Sequence, residues 1–234
     1  MDKKIIAGNW KMNGNMDAVA LMADALKNID LSHVTIVLCL PMPFVGASAI
    51  LSVETGVQDC SAHESGAYTG EVSARMISEI GAKYVIIGHS ERRQYHNETN
   101  LVIAEKAKQA LKSGLIPIIC VGETMEEKQA GETNTVIEKQ IRECVPGKGA
   151  IIAYEPRWAI GAGMTPSNEE IKREHGFIAE ILESMGLGGT PILYGASVKG
   201  GNAAEIMSIP NVDGVLVGGA SLKAEDFLPI IQAV

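Results

Sequence analysis

The sequence has no cluster of basic residues: 20 Lys and Arg stand against 28 Asp and Glu, a formal charge of −8. Nucleic acid and anionic membrane surfaces are poor partners for such a chain. A secretory leader is not expected either, because Met1-Asp2-Lys3-Lys4 is followed by only three apolar-compatible positions. We therefore expect a cytoplasmic protein. There is no Cys-x-x-Cys pair; Cys39, Cys60, Cys120 and Cys144 lie far apart and read as reduced, buried thiols. Long uncharged stretches are scarce. The exception, 31–53, runs 23 residues without Asp, Glu, Lys or Arg, long enough to span a bilayer. Pro41 and Pro43 divide it, however, and its apolar run is only strand-length, so it reads as strand, turn and short helix. No linker, low-complexity tract or composition break separates the 234 residues, which read as one domain, 1–234.

What the chain does contain is repetition of type. Short apolar, β-branched runs occupy 4–7, 34–40, 56–60, 83–87, 116–121, 150–154, 191–194 and 212–217, the third being weak. Runs without polar alternation suit a parallel sheet covered on both faces. Helical periodicity separates them, most clearly at 100–112, 126–143 and 168–185. Ser167 and Glu170 fit a capping box, and Gly114 and Gly186 fit helix C-caps. Eight strand–helix units, about 29 residues each, either close into a barrel or stay an open doubly wound sheet. One undivided domain favours the closed (β/α)8 barrel, eight parallel strands surrounded by helices.

In such a barrel chemistry gathers where strands feed into helices. Asn9 and Lys11 follow the first run, His89, Ser90 and Glu91 the fourth, Glu123 the fifth, Glu155 the sixth and Ser197 the seventh. Gly218 and Gly219 follow the eighth; without a Cβ their amides can approach an anion closely. Residues 155–165 form a long connection with small residues between rigid ends, the build of a lid. The opposite ends of the strands carry unremarkable residues such as Lys83 and Gly149. This asymmetry points to an enzyme.

Six motifs then align in order over essentially the whole chain: GNWKMN (8–13), GAYTGE (66–71), GHSERR (88–93), AYEPRWAIG (153–161), YGAS (194–197) and DGVLVGGAS (213–221). On these the sequence resembles the triosephosphate isomerase family, whose fold is the TIM barrel. The resemblance implies interconversion of dihydroxyacetone phosphate and glyceraldehyde 3-phosphate, in glycolysis and gluconeogenesis, with no cofactor and no metal. Glu155 would move the proton between C1 and C2, and His89, as an uncharged ring, would act at the carbonyl oxygen. Lys11 and Asn9 would lie beside the substrate, Glu91 and Ser90 would support them from behind, and Gly161, Ser197, Gly218 and Gly219 would hold the phosphate. A lid over Glu155 would raise its basicity by excluding water. The loop 61–72 would enter a second subunit, with Thr69 reaching its site, making a homodimer.

Some positions depart from the family. Ala196 replaces a common Gly, Arg157 stands where a small apolar residue is usual, Ala162 replaces a Thr, and Met164 and Pro166 stand where Lys and Ala are frequent. Pro166 fixes its own φ and biases Thr165 away from the helical region, so fewer lid-hinge states are expected. The regions 45–55 and 144–150 look trimmed. His33, His63, His96, His175, Glu123 and Cys120 read as structural, and His63-Glu64 lacks a second His at zinc-ligand spacing. Two other functions compete: a phosphate-binding barrel aldolase or decarboxylase, the aldolase needing a Schiff-base lysine for which Lys11 and Lys199 are the nearest candidates, and a barrel that only binds.

Overall fold

A computed structural model of the chain describes residues 3–160 and 165–234. Strands β1 (Lys4–Asn9), β2 (Val34–Leu40), β3 (Glu54–Val57), β4 (Tyr84–Ile87), β5 (Ile116–Val121), β6 (Ile151–Tyr154), β7 (Ile192–Tyr194) and β8 (Gly214–Val217) pair in chain order. All pairs are parallel, and β8 returns to β1, with Ile5 opposite Gly214 and Gly8 opposite Val217. The sheet closes, as expected, into an eight-stranded barrel.

Each strand has two buried faces. Ala7, Val37, Cys39, Ile86, Ile118, Cys120, Ala153, Leu193 and Leu216 pack on one another and fill the barrel. Their neighbours in the strands, among them Ile6, Leu38, Val85, Ile119, Ile152 and Val215, face the surrounding helices. Side chains alternate, but both destinations are apolar, which is why the runs show no polar alternation.

The outer layer begins with α1 (Met16–Leu26), capped by Asn15, and α2 (Met42–Val45). It continues with α3 (Ala74–Glu79), α4 (Ser90–Tyr95), α5 (Asn100–Lys112), α6 (Met125–Gln129) and α7 (Thr133–Cys144). After β6 come α8 (Asn168–Ser184), α9 (Gly200–Ser208) and α10 (Ala224–Ile231). The 31–53 stretch divides into β2, α2 and a 3-10 turn (Ser48–Ile50), and no described helix is long and apolar enough to cross a membrane. Cys39, Cys60, Cys120 and Cys144 are all buried free thiols, and burial pushes Cys39 and Cys60 up to about 12.

Two elements differ from expectation. The third strand lies at Glu54–Val57 and not 56–60. Beyond Val57 the chain leaves the ladder: Gln58 Nε2 donates to the Cys39 carbonyl, and Asp59 turns to Lys106 and Arg92. The helical segment 126–143 is two helices, α6 and α7. Thr124 and Glu127 cap the first in a capping box, and Gly131 ends it with φ +75°, as Gly114 and Gly186 end α5 and α8. A left-handed residue inside an apolar period stops the helix without disturbing the periodicity on either side.

Candidate active site

The strand ends converge on a cleft of about 300 Å³ lined by Asn9, Lys11, His89, Glu155, Ser197, Gly218 and Gly219. Every described residue expected to touch substrate lies in this one place. Gly161, with Ala162 and Met164, lies outside the described residues. Thr69 sits in the exposed loop, away from the cleft of its own chain.

Glu155 follows β6 directly and is only 3% exposed. Its backbone is fixed from two sides: its N–H donates to the Val121 carbonyl at 2.7 Å, and its own carbonyl lies against Gly122. A Cβ on Gly122 would come within 1.8 Å of that carbonyl oxygen, so only glycine fits. Gln140, on α7, holds Gly122 through both its N–H (2.8 Å) and its carbonyl (3.2 Å). The carboxylate of Glu155 accepts from the Ser90 N–H at 3.1 Å and faces His89 Nε2 at 3.1 Å.

His89 is the N-cap of α4, and its Nδ1 accepts the Glu91 N–H at 3.2 Å. A nitrogen that accepts an N–H carries no proton, so the proton of the neutral ring resides on Nε2, the nitrogen facing the cleft. Opposite, Lys11 holds φ +52°, with its N–H on Asn9 Oδ1 at 3.0 Å. A left-handed lysine costs about 1–2 kcal/mol, and this strain lies at the cleft, where strained residues concentrate. Lys11 Nζ bonds Glu91 Oε1 at 2.5 Å, which aims the ammonium across the mouth of the site.

The other end of the cleft is lined by Ser197, Gly218 and Gly219. Gly218 and the short turn Gly219–Ser221 follow β8, and Ser197 follows β7, with its hydroxyl on the Ala159 carbonyl at 3.4 Å. Gly218 lies close to Lys11: a Cβ there would be in ordinary contact, 3.6 Å from Lys11 Cε. Arg157–Ala159 form a 3-10 turn just after Glu155, where the Arg157 N–H donates to the Glu123 carbonyl at 3.0 Å.

The pKa values of Glu155 and His89 are set by their mutual contact as well as by burial. Burial alone would raise Glu155, but His89, the Ser90 N–H and Lys11 together hold its pKa below the usual value. Burial would likewise lower His89, yet the facing Glu155 carboxylate holds it above the usual value. The cause is direct contact: each partner favours the charge of the other. Raised basicity at Glu155 and an uncharged His89 therefore require that contact to be broken.

Sequence reasoning missed several supports. Gly122 and Gln140 carry no local signal. Gly195 does, since it sits in the YGAS motif, and a Cβ there would lie 2.9 Å from Glu155 Cγ. Arg93, the last residue of GHSERR, ties the Gly88 carbonyl (2.9 Å) to the Cys120 carbonyl (3.1 Å), joining the ends of β4 and β5. Glu123 is buried as a structural residue should be; it accepts from Trp158 Nε1 at 2.7 Å, and burial raises its pKa.

The family model described as triosephosphate isomerase matches residues 4–234. The triosephosphate isomerase of Alkalilimnicola ehrlichii is 46% identical over 247 residues, covering 100% of this chain and 99% of the relative. That of Albidiferax ferrireducens is 44% identical over 245 residues, with the same coverage. A crystal structure of the Bartonella henselae triosephosphate isomerase superposes with a TM-score of 0.91 at 36% identity, over 99% of both chains.

Proposed function

The chain belongs to the triosephosphate isomerase family and interconverts dihydroxyacetone phosphate and glyceraldehyde 3-phosphate, and we propose that Glu155 and His89 carry the proton transfers. The observation that supports this is their placement: a buried carboxylate and the Nε2 of a helix-capping imidazole meet in a cleft whose far end is made of Ser197, Gly218 and Gly219.

The substrate phosphate binds at Ser197, Gly218 and Gly219, with Lys11 supplying positive charge and Gly161 joining from the lid. This places the two oxygen-bearing carbons between Glu155 and His89. The incoming substrate replaces their mutual contact, and burial then acts on each group alone. It raises Glu155 towards a useful base and keeps His89 uncharged. Glu155 takes a proton from C1 of dihydroxyacetone phosphate, the C1–C2 double bond forms, and the carbonyl oxygen gains charge. His89 Nε2–H, Lys11 and Asn9 stabilise that oxygen. His89 passes its proton to this oxygen and recovers one from the neighbouring hydroxyl. Glu155 returns its proton to C2, and the carbonyl reappears at C1. The overall change is redox-neutral, and the proton lifted from carbon exchanges with water while Glu155 holds it, so the reaction calls for no cofactor.

The protein works in the cytoplasm as a homodimer. Residues 63–71 are exposed, with His63 stacked on Tyr68 at 3.8 Å between centroids. Beside the active cleft a second hollow of about 350 Å³ is lined by Lys11, Met12, Gln58, Glu91 and Tyr95. Met12 is 96% exposed and Tyr95 70%, apolar surface that the loop of a second copy, led by Thr69, would cover.

A coupled assay converting glyceraldehyde 3-phosphate tests the assignment, with Glu155→Gln as the control. Loss of about 10²–10⁴-fold in kcat supports the base, and a variant as fast as wild type removes it. A sedimenting monomer at micromolar concentration would contradict the dimer.

A further inference from the structure

We propose that Lys128 is a positioning residue for the reaction: its ammonium clasps together the two chain segments that flank 161–164, and so fixes the backbone that follows Glu155. The inference rests on the reading of Glu155 as the base.

Lys128 belongs to α6, outside the cleft. Its Nζ lies 3.6 Å from the ring centroid of Trp158, within the 3-10 turn that begins two residues after Glu155. The same Nζ donates to Glu170 Oε1 at 2.9 Å. The other oxygen of Glu170 accepts from the N–H (2.9 Å) and hydroxyl (3.0 Å) of Ser167, the N-cap of α8. These contacts, with the Ser167 bonds, hold Glu170 down at about 2, so it stays ionised. One cation is thus shared between the segment before 161–164 and the segment after it. Trp158 is also held at its other edge, where Nε1 donates to the buried Glu123. Pro166 lines the hollow of about 330 Å³ that Lys128, Trp158, Glu123 and Glu170 enclose.

Each part of this clasp is modest alone. The ion pair is about one-third exposed at both partners, a class worth at most about 1 kcal/mol, and an exposed cation–π contact contributes a similar amount. Their joint action is directional. Any displacement of the Trp158 turn must strip the ammonium from the indole or drag Glu170 and the α8 cap with it. Small displacements of a base matter, because misplacement on the scale of 1 Å costs up to about 10²-fold.

The test compares Lys128→Met, Lys128→Arg and Glu170→Gln in the full-length protein, with Glu155→Gln alongside. Lys128→Met is expected to lower kcat about 5- to 10-fold with KM little changed, and Lys128→Arg to restore it. Glu170→Gln keeps an acceptor for Ser167 and removes only the ion pair, so a fall of about 2- to 3-fold is expected. It also serves if Lys128→Met folds poorly. Incorporated 5-fluorotryptophan gives resonances from Trp10 and Trp158 alone, the only two tryptophans. The Trp158 signal should shift and change width in Lys128→Met, while that of buried Trp10 stays put. Unchanged kcat and Trp158 signal in folded variants would overturn the clasp while leaving the base intact. Full activity in Glu155→Gln would instead overturn the reading beneath it.

Discussion

The two ends of the barrel hold similar kinds of residue and use them differently. At the amino end Lys4 Nζ bonds the Val212 carbonyl at 2.5 Å, Asp213 accepts the Ile192 N–H at 2.9 Å, and Lys83 meets Glu54 at 2.8 Å. Each charge tacks a strand or its rim in place and remains in reach of water. That end even has the larger hollow, about 540 Å³ against 300 Å³. Its lining groups, such as Lys3, Glu183 and Thr190, are exposed or half-buried. At the carboxyl end Asn9, His89 and Glu155 are 5%, 5% and 3% exposed, and they face one another. Burial of convergent polar groups, and not volume, separates a reactive site from a surface recess.

The sharpest way to break this contrast is to exchange one carboxylate at each end for its amide. Glu155→Gln should lose about 10²–10⁴-fold in kcat. Asp213→Asn should keep activity within about twofold and show its effect, if any, in the melting temperature. Comparable losses at both ends would dissolve the distinction. Next in size is Gly122→Ala, whose methyl group would collide with the Glu155 carbonyl. It should cost about 1–3 kcal/mol in stability and about tenfold in kcat through displacement of the base. A folded variant with wild-type turnover would show that the glycine does not position Glu155.

A third test concerns pH. His175 is buried on α8, with Nδ1 2.9 Å from the Asn211 carbonyl and its ring centroid 6.0 Å from that of Tyr154 and 6.2 Å from that of Tyr194. Burial lowers it from 6.5 to about 4, against the pull of Asn211 and Asp213. Its folded pKa lies below its unfolded one, so the unfolded chain takes up the proton first. Stability from neutral His175 is therefore present above about 6.5 and lost as pH falls towards 4, up to roughly 3 kcal/mol. Urea unfolding at pH 7 and pH 5 should show a smaller loss in His175→Gln than in wild type; equal losses would contradict it. The smallest effect is expected at the departures from the family. Pro166→Ala and Ala196→Gly should change relaxation-dispersion rates around the lid more than they change chemistry, and identical rates and turnover in all three proteins would count against restricted hinges.

Much of this architecture was legible because buried strands and capped helices leave local marks. β2, β5 and α5 fall on the expected residues, since their apolar runs and end signals lie within the element itself. β3 was misplaced because Gln58 and Asp59 are held by Cys39, Lys106 and Arg92, contacts that no window around 56–60 contains. The interruption at Gly131 was hidden by an unbroken helical period. In the site, position after a strand singles out Asn9, Lys11, His89 and Glu155 together with Ser90, Glu91 and Glu123, and the family motifs are needed to tell the candidate catalytic groups from the rest. The Gly122–Glu155 contact and the reach of Lys128 to Trp158 join residues more than 25 positions apart. The direct Glu155–His89 contact, and the pKa directions it causes, likewise follow only from the folded geometry.

The central claim is that Glu155 carries a proton between two adjacent carbons while His89 serves their oxygens. Isomerisation of glyceraldehyde 3-phosphate in deuterium oxide, followed by NMR of the product, measures this directly. Wild type should deliver dihydroxyacetone phosphate bearing solvent deuterium on C1, and Glu155→Gln should form it slower by about 10²-fold or more. Product free of solvent deuterium, or labelled just as fast without the carboxylate, would contradict the account.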